Sequence, residues 1–424
     1  MTSLSFEDGI ARNRAGSGFA FTSVCSAHPD VLAASLREAA RRNVPLIVEA
    51  TSNQVNQFGG YTGMTPTDFV ALVRDIAAKV GAPEDLLIFG GDHLGPQAWK
   101  DLPAEDAMAR ARDMMRAYVE AGFTKIHLDC SEGCAGEPAH AGDQLAAARA
   151  ADLARVCEEA AGPGSALSYI VGTEVPPPGG ARAGEDEAIL PTPPENAAAT
   201  LEAHRKAFAE AGLEDAWTRV RGLVVQPGLE FAPAHVDRFD MDQPDLLSPV
   251  LDGHDQFSFE AHSTDYQHGE VFKALGQRHF AVLKVGPALT FAYREAVYAL
   301  SAIDGWLTGS APLSELMEQK MLAQPKYWKA HYDGDEARLH LLRHFGYADR
   351  IRYYWADAEV KEAVAALEAR IDNAEIPEPL MAQYIDAGWR AAAQRLMDQG
   401  LAPSRAVIHA RIEQALAPYL EVIS

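Results

Sequence analysis

An aspartate followed directly by a histidine, Asp92-His93 in GGDHLGP, is the sharpest chemical feature of the sequence. Neutral imidazole binds a divalent metal, and the adjoining carboxylate can exchange a proton with a substrate. His262 in EAHSTDY and His127 in HLDCS offer further imidazoles, and Glu174 in GTEVPPPGG offers a ligand or a second acid/base. Zinc or manganese held by His93, His262 and either His127 or Glu174 would polarise a carbonyl, as aldol cleavage and sugar epimerisation both require. Asp92 is then the expected proton carrier. The competing reading is a buried hydrogen-bonded network of the same side chains without a metal. Taken singly, each is more often a satisfied polar group than a working one. Their common placement is the signal: Glu49, Asp92-His93, His127 with Asp129, Glu174, Gln226, His262 and Lys284 all stand where an apolar run stops.

Recognition of a phosphorylated sugar has its own candidates. In LKVGPALTFAYREA (283–296), Gly286 precedes Pro287 and a helix start, where free backbone N–H groups can face an anion. Ser263, Thr264, Lys284 and Gly286 form the expected cradle. Lys284 has a second possible role as a Schiff-base lysine, but beside carboxylates it would stay protonated. Glu49 and the amides of Asn53 and Gln57, from ATSNQVNQFGGYTGM (50–64), are expected to meet sugar hydroxyls, although Gly-Gly-Tyr serves equally as a turn. His127, Cys130 and Cys134 spell HxxCxxxC without a second pair, a weak zinc signal. No GxxxxGK[ST] and no kinase catalytic-loop pattern occurs, so no nucleotide is expected.

These residues are positioned by a repeating unit of apolar run, polar loop and amphipathic Ala/Leu-rich stretch. The runs cover 18–25, 45–51, 86–93, 125–130, 168–174, 222–228, 257–263 and 280–286. Helical patterns lie near 30–42, 66–80, 104–121, 143–161, 195–212, 242–251, 268–277 and 288–307. Eight βα units in this length predict a closed (β/α)₈ barrel, residues 1–310, with its site at the carboxyl ends of the strands. Glu49, Asp92, His93, His127, Glu174, His262 and Lys284 should converge there. Residues 311–424 show helical periodicity and many aromatics, and predict a helical extension packed on the barrel. Residues 175–194 look like a long irregular loop.

With 60 acidic against 37 basic residues among 424, the formal net charge is −23, which disfavours nucleic acid as a partner. No apolar run is long enough for a membrane span, and the N-terminus lacks the hydrophobic region of a signal peptide. Cys25, Cys130, Cys134 and Cys157 are too few for a disulfide framework, so free thiols in a reducing cytoplasm are expected.

The strings VCSAHP, EATSNQVNQFGGYTGM, GGDHLGP, AGFTKIHLD, GTEVPPPGG, VVQPG, EAHSTDYQ, LKVGPALTFA, YWKAHY and DRIRYYW, from Val24 to Trp355, carry a family resemblance. The sequence resembles the D-tagatose-1,6-bisphosphate aldolase GatZ/KbaZ-type subunit family. That resemblance implies a (β/α)₈ barrel in galactitol, N-acetylgalactosamine or tagatose catabolism. It also implies an oligomer, a sugar-phosphate substrate and a class II aldolase catalytic subunit as partner. In class II aldolases an Asp-His pair, the Asp as base and the His on zinc, resembles Asp92-His93, and a late-strand histidine resembles His262. The position after the sixth run where another histidine ligand is expected holds Gln226, a weak zinc ligand. The favoured expectation is therefore a supporting component of the aldolase. The alternative is a self-sufficient metal-dependent ketose (phosphate) aldolase or epimerase. A tagatose-6-phosphate kinase, an older description of the family, conflicts with the missing ATP motif.

Overall fold

The structure, a computed structural model, describes residues 4–173 and 189–422. Ten strands are present in it: β1 (Phe21–Cys25), β2 (Leu46–Thr51), β3 (Leu87–Leu94), β4 (Lys125–Leu128), β5 (Ser168–Val171), β6 (Val220–Val224), β7 (Glu230–Phe231), β8 (Val236–Asp237), β9 (Ser258–Ala261) and β10 (Phe280–Val285). β1 to β6, β9 and β10 pair in parallel and close into a barrel, while β7 and β8 form a separate two-stranded ribbon. The chain is a (β/α)₈ barrel. Apart from the half-buried Leu87 and Ile88 at the start of β3, Val, Ile, Leu and Phe on the barrel strands are buried on both faces, as expected when helices cover a parallel sheet.

Local signals start and stop the helices around the barrel. Thr65 and Asp68 exchange hydrogen bonds in a capping box before helix Pro66–Val80, which Gly81 ends in a left-handed conformation. His28 does not reach the barrel mouth as a working group: its Nδ1 accepts the Asp30 N–H at the start of helix Pro29–Arg42. The expected helix over 242–251 is absent. Pro244 and Pro249 each remove a backbone donor, and only the short 3₁₀ turn Ser248–Leu251 forms after the ribbon. The N-terminal helix Phe6–Arg12 was not expected; it packs Phe6 against Phe21 of β1, with ring centroids 5.3 Å apart.

Beyond helix Pro287–Thr308 the chain is helical, without strands among the described residues. Helix Pro403–Leu420 lies along helices Pro287–Thr308 and Pro29–Arg42. Its Tyr419 stacks on Phe272 at 3.8 Å and donates its hydroxyl to the Thr264 carbonyl. The 3₁₀ turn Arg350–Tyr354 reaches back to the barrel mouth, where Tyr353 meets Tyr61 at 4.7 Å. No helix of the described residues is long and apolar enough to cross a membrane.

Strand register sets the site's floor. Cys25 lies opposite Glu49, Glu49 opposite Gly90, and Gly90 opposite Lys125. A Cβ at Gly90 would stand 2.7 Å from the Glu49 carboxylate, so the barrel interior needs glycine there. After β3, Gly95 lets two loops touch: a Cβ on it would stand 1.7 Å from the Asp129 carbonyl oxygen. Neither backbone can yield cheaply. Gly95→Ala is expected to cost about 1–3 kcal/mol in a urea unfolding titration, whereas alanine at Gly142, where a Cβ meets nothing within 4 Å, should change stability far less.

Candidate active site

The inner layer of the barrel is ionic. Lys125 Nζ lies 2.6 Å from Glu49 Oε1 and 2.7 Å from Glu260 Oε2. Lys284 Nζ sits 3.0 Å from Glu49 Oε2 and 3.3 Å from Glu260 Oε1, and bonds Asp92 Oδ1 as well. All five side chains are buried. Burial alone would discharge these lysines, but Asp92, Glu49 and Glu260 hold the Lys284 ammonium well above its ordinary range. Lys125 is raised against the same burial penalty by Glu260 and Glu49. Ion-paired to Glu49, Asp92 and Glu260, the Lys284 amine is disfavoured as a Schiff-base nucleophile. Burial likewise opposes the ionised forms of Asp92 and Glu260, yet the imidazole and ammonium neighbours hold both well below the usual carboxylate range.

Above this layer three imidazoles face one another. The ring centroids of His93, His127 and His262 are 5.3, 5.0 and 5.1 Å apart. Asp129 Oδ2 holds His93 Nδ1 at 2.7 Å, and Asp129 is itself bonded by the Ser131 hydroxyl and N–H. That leaves His93 Nε2 turned inward, 3.7 Å from Asp92 Oδ2. His127 Nδ1 meets the His93 N–H and Asp92, while its buried Nε2 has no protein partner. Three nitrogens about 2.0–2.1 Å from one tetrahedral ion would set their ring centroids about 5 Å apart, which matches the triangle. The ligand atoms that lie within 4.8 Å of one another come from Asp92, His127, Glu260 and His262; His93 stands beside this cluster, its Nε2 3.7 Å from Asp92 Oδ2. The donor set suits a divalent cation. Ligand-ready imidazoles must be neutral: burial together with Lys284 pushes His262 down to about 3 and burial lowers His127, whereas Asp92 and Asp129 raise His93 against its burial. His93 (φ +46°) and Ser263 (φ +53°) take left-handed backbone conformations at the ends of β3 and β9. Such strain in non-glycine residues clusters at working sites.

The mouth above holds a small chamber of about 90 Å³, lined by Asp92, His93, His262, Ser263, Lys284 and Asn53 among others. Glu49 and His127 lie just beneath it, buried. Of the expected convergent set, the structure thus gathers Glu49, Asp92, His93, His127, His262 and Lys284; Glu174 lies outside the described residues. Three expected sugar or phosphate contacts are turned elsewhere. Gln57 donates to the Arg110 carbonyl on the surface. The Thr264 hydroxyl donates to the Lys284 carbonyl and is buried beneath the wall. The Gly286 and Ala288 N–H groups, expected to face an anion, donate instead to Asp265 Oδ1 at 3.0 and 2.8 Å. Gln226 is no ligand, since its side-chain oxygen accepts from the N–H of Gly228 and Leu229. Cys130 and Cys134 do not join His127 in any ligand cluster among the described residues. The sequence reading missed Lys125, Glu260, Asp265, Tyr61, Arg352 and Tyr353.

The match to the D-tagatose-1,6-bisphosphate aldolase subunit GatZ/KbaZ-like family runs over residues 6–424. The chain belongs to this family. A D-tagatose 6-phosphate 4-epimerase of Agrobacterium fabrum is 49% identical over 427 residues, spanning 99% of this chain and 98% of its own. A solved structure called a probable tagatose 6 phosphate kinase, from Sinorhizobium meliloti 1021, is 43% identical with a TM-score of 0.85 and covers 95% of this chain and 100% of its own. The fructuronate-tagaturonate epimerase UxaE of Cohnella laeviribosi shares the fold at 12% identity, with a TM-score of 0.51 over 96% of this chain and 82% of its own.

Lys125 does not line the chamber, so its variant reads the ionic layer separately from substrate contact. Lys125→Met leaves Glu49, Glu260 and Asp92 to share the single Lys284 ammonium and is expected to cost about 3–5 kcal/mol at pH 7 by denaturant unfolding. The depressed Glu260 carboxylate stabilises the native chain above its unfolded value of about 4.3, and this contribution is lost as pH falls through the lower folded value. In the variant three buried carboxylates face one ammonium, which favours protonation of one of them, so the deficit should shrink as pH is lowered from 7 towards 4. A deficit that stays constant over that range would mean that charge pairing is not its cause.

Proposed function

We propose that this chain is a metal-dependent ketose-6-phosphate 4-epimerase, interconverting D-tagatose 6-phosphate and D-fructose 6-phosphate without a partner subunit. The observation that carries the reading is the placement of Asp92, the inner-layer carboxylate that reaches the chamber, beside three converging imidazoles. The named activity of the 49% identical relative, over nearly the whole of both chains, supports it.

Carbon chemistry narrows the route. The C2 carbonyl of a 2-ketose acidifies the proton on C3, not the one on C4. Inversion at C4 through that carbonyl proceeds by breaking the C3–C4 bond. Asp92, ionised at neutral pH, takes the proton of the C4 hydroxyl. The C3–C4 electron pair flows towards the C2 carbonyl, and C4 becomes an aldehyde. After the aldehyde turns its other face, the bond re-forms and Asp92 returns the proton to the new hydroxyl. A divalent cation held by His93, His127 and His262 would supply the Lewis acid that takes up negative charge at the carbonyl side. Asp129 fixes His93 in place, and the Lys284 ammonium bonds Asp92 and orients it. An aldolase releases the aldehyde, whereas an epimerase must keep it. The turn Arg350–Tyr354 over the mouth and the small inner chamber favour retention.

Purified protein alone, given D-tagatose 6-phosphate in D₂O, should form D-fructose 6-phosphate without deuterium at C4 by NMR. Asp92→Asn should lower kcat by about 10²–10⁴, and His93→Ala should abolish turnover. Deuterium at C4 would contradict the bond-breaking route. Turnover that appears only as cleavage to trioses, and only when a class II aldolase catalytic subunit is added, would replace this reading with the supporting-subunit role. ATP-dependent phosphorylation of tagatose 6-phosphate would replace it with the kinase.

A further inference from the structure

The inner chamber is smaller than the roughly 300–1,000 Å³ usual for a small-molecule site. Cys25, Gln54, Tyr61, Gly286 and Arg352 also line a second cavity of about 420 Å³ between the barrel and the C-terminal helices. Those residues line both spaces and form the throat between them. Arg352 thus lines both the chamber that holds Asp92 and the cavity next to it.

Charge at this throat is unbalanced. Arg352 gives Nη1 to the carbonyls of Ala348 and Asp349 and Nη2 to the Tyr353 hydroxyl, all uncharged acceptors. Arg350 is buried, gives Nε to the Tyr327 carbonyl, and lies over the Tyr353 ring at 4.7 Å. No ion pair joins either guanidinium to a carboxylate among the described residues. The nearby carboxylates are committed elsewhere: Asp349 to Thr290 and Arg294, and Asp265 to the Gly286 and Ala288 N–H groups. Burial would raise the Tyr353 phenol, but the two guanidiniums pull it below its ordinary value, while Asp349 and Asp265 act on Arg352 from a distance without pairing with it. Buried or half-buried arginines without a counter-ion fit an anion with several acceptor oxygens.

We propose that Arg352, backed by Arg350 and Tyr353, binds the phosphate monoester of the substrate at this throat. The helix start at Gly286 is not the seat, because Asp265 already takes its N–H groups. The proposal rests on the reading of the substrate as a ketose phosphate, and it transfers phosphate recognition from the barrel's own loops to the C-terminal segment. Phosphate selectivity is then set by residues outside the (β/α)₈ repeat.

Inorganic phosphate, titrated calorimetrically into the full-length protein, separates this claim from the reaction itself. Wild type should bind it, and Arg352→Ala, measured below its own melting temperature because it also loses the hydrogen bonds to Ala348, Asp349 and Tyr353, should bind at least tenfold more weakly. Arg352→Lys, which keeps the charge but loses the fork, should fall between them, and it carries the test if the alanine variant does not fold. In turnover, Arg352→Ala should raise KM for D-tagatose 6-phosphate at least tenfold with a smaller change in kcat, and inorganic phosphate should inhibit the variant at least tenfold more weakly than wild type. Equal phosphate binding by wild type and Arg352→Ala, or no binding by wild type at millimolar phosphate, would overturn the proposal. Weakened phosphate binding in the variant, with no epimerisation by either protein, would sink the proposed function and leave the anion site standing.

Discussion

A lysine ammonium inside a barrel stays charged only where carboxylates replace its lost water, and removing one partner of such a pair typically costs several kcal/mol. Lys125 and Lys284 meet that condition through Glu49, Glu260 and Asp92. Much of the surrounding structure follows from it. Gly90 has no side chain because the Glu49 carboxylate occupies that space. Asp92 points inward because Lys284 binds it. His262 Nε2 lies 3.0 Å from Glu260, so even an imidazole above the layer is oriented by the salt-bridge lattice below.

The lattice is not neutral. Glu49, Asp92, Asp129 and Glu260 against Lys125 and Lys284 give a formal charge of 2 − 4 = −2, all of it buried. Three imidazoles facing one another over this excess make a divalent cation the economical counter-charge. At the outer end of the mouth the sign reverses, where Arg350 and Arg352 stand without carboxylate partners. A ketose phosphate presents the complementary pattern, with a carbonyl for the cation end and an anion for the arginine end. The barrel and the C-terminal segment thus supply opposite halves of one recognition surface.

The architecture was largely legible in sequence, because each apolar run stopped at a polar residue and the barrel places those stops in one mouth. Asp92, His93, His127, His262 and Lys284 were found that way. Lys125 and Glu260 were missed because neither stands where a run stops: Lys125 opens its run and Glu260 lies inside one. The signal was present in the period of two: Lys125 precedes His127, and Glu260 precedes His262, by two residues, so each pair shares the inward face. The anion contacts could not be read locally. Gly286 carries every mark of an anion-binding helix start, and only the fold reveals that Asp265 fills it. DRIRYYW is far in sequence from any strand end, so its return to the mouth depends on packing that no periodicity announces. Pro244 and Pro249, by contrast, were visible arguments against a helix over 242–251.

X-ray absorption at the zinc edge, on purified protein loaded with one equivalent of zinc, tests the central claim most directly. The account predicts a single site per chain with three imidazole nitrogens at about 2.0–2.1 Å, oxygen completing the shell and no sulfur. An ion that washes off on dialysis, or a shell containing sulfur or a single imidazole, would contradict it.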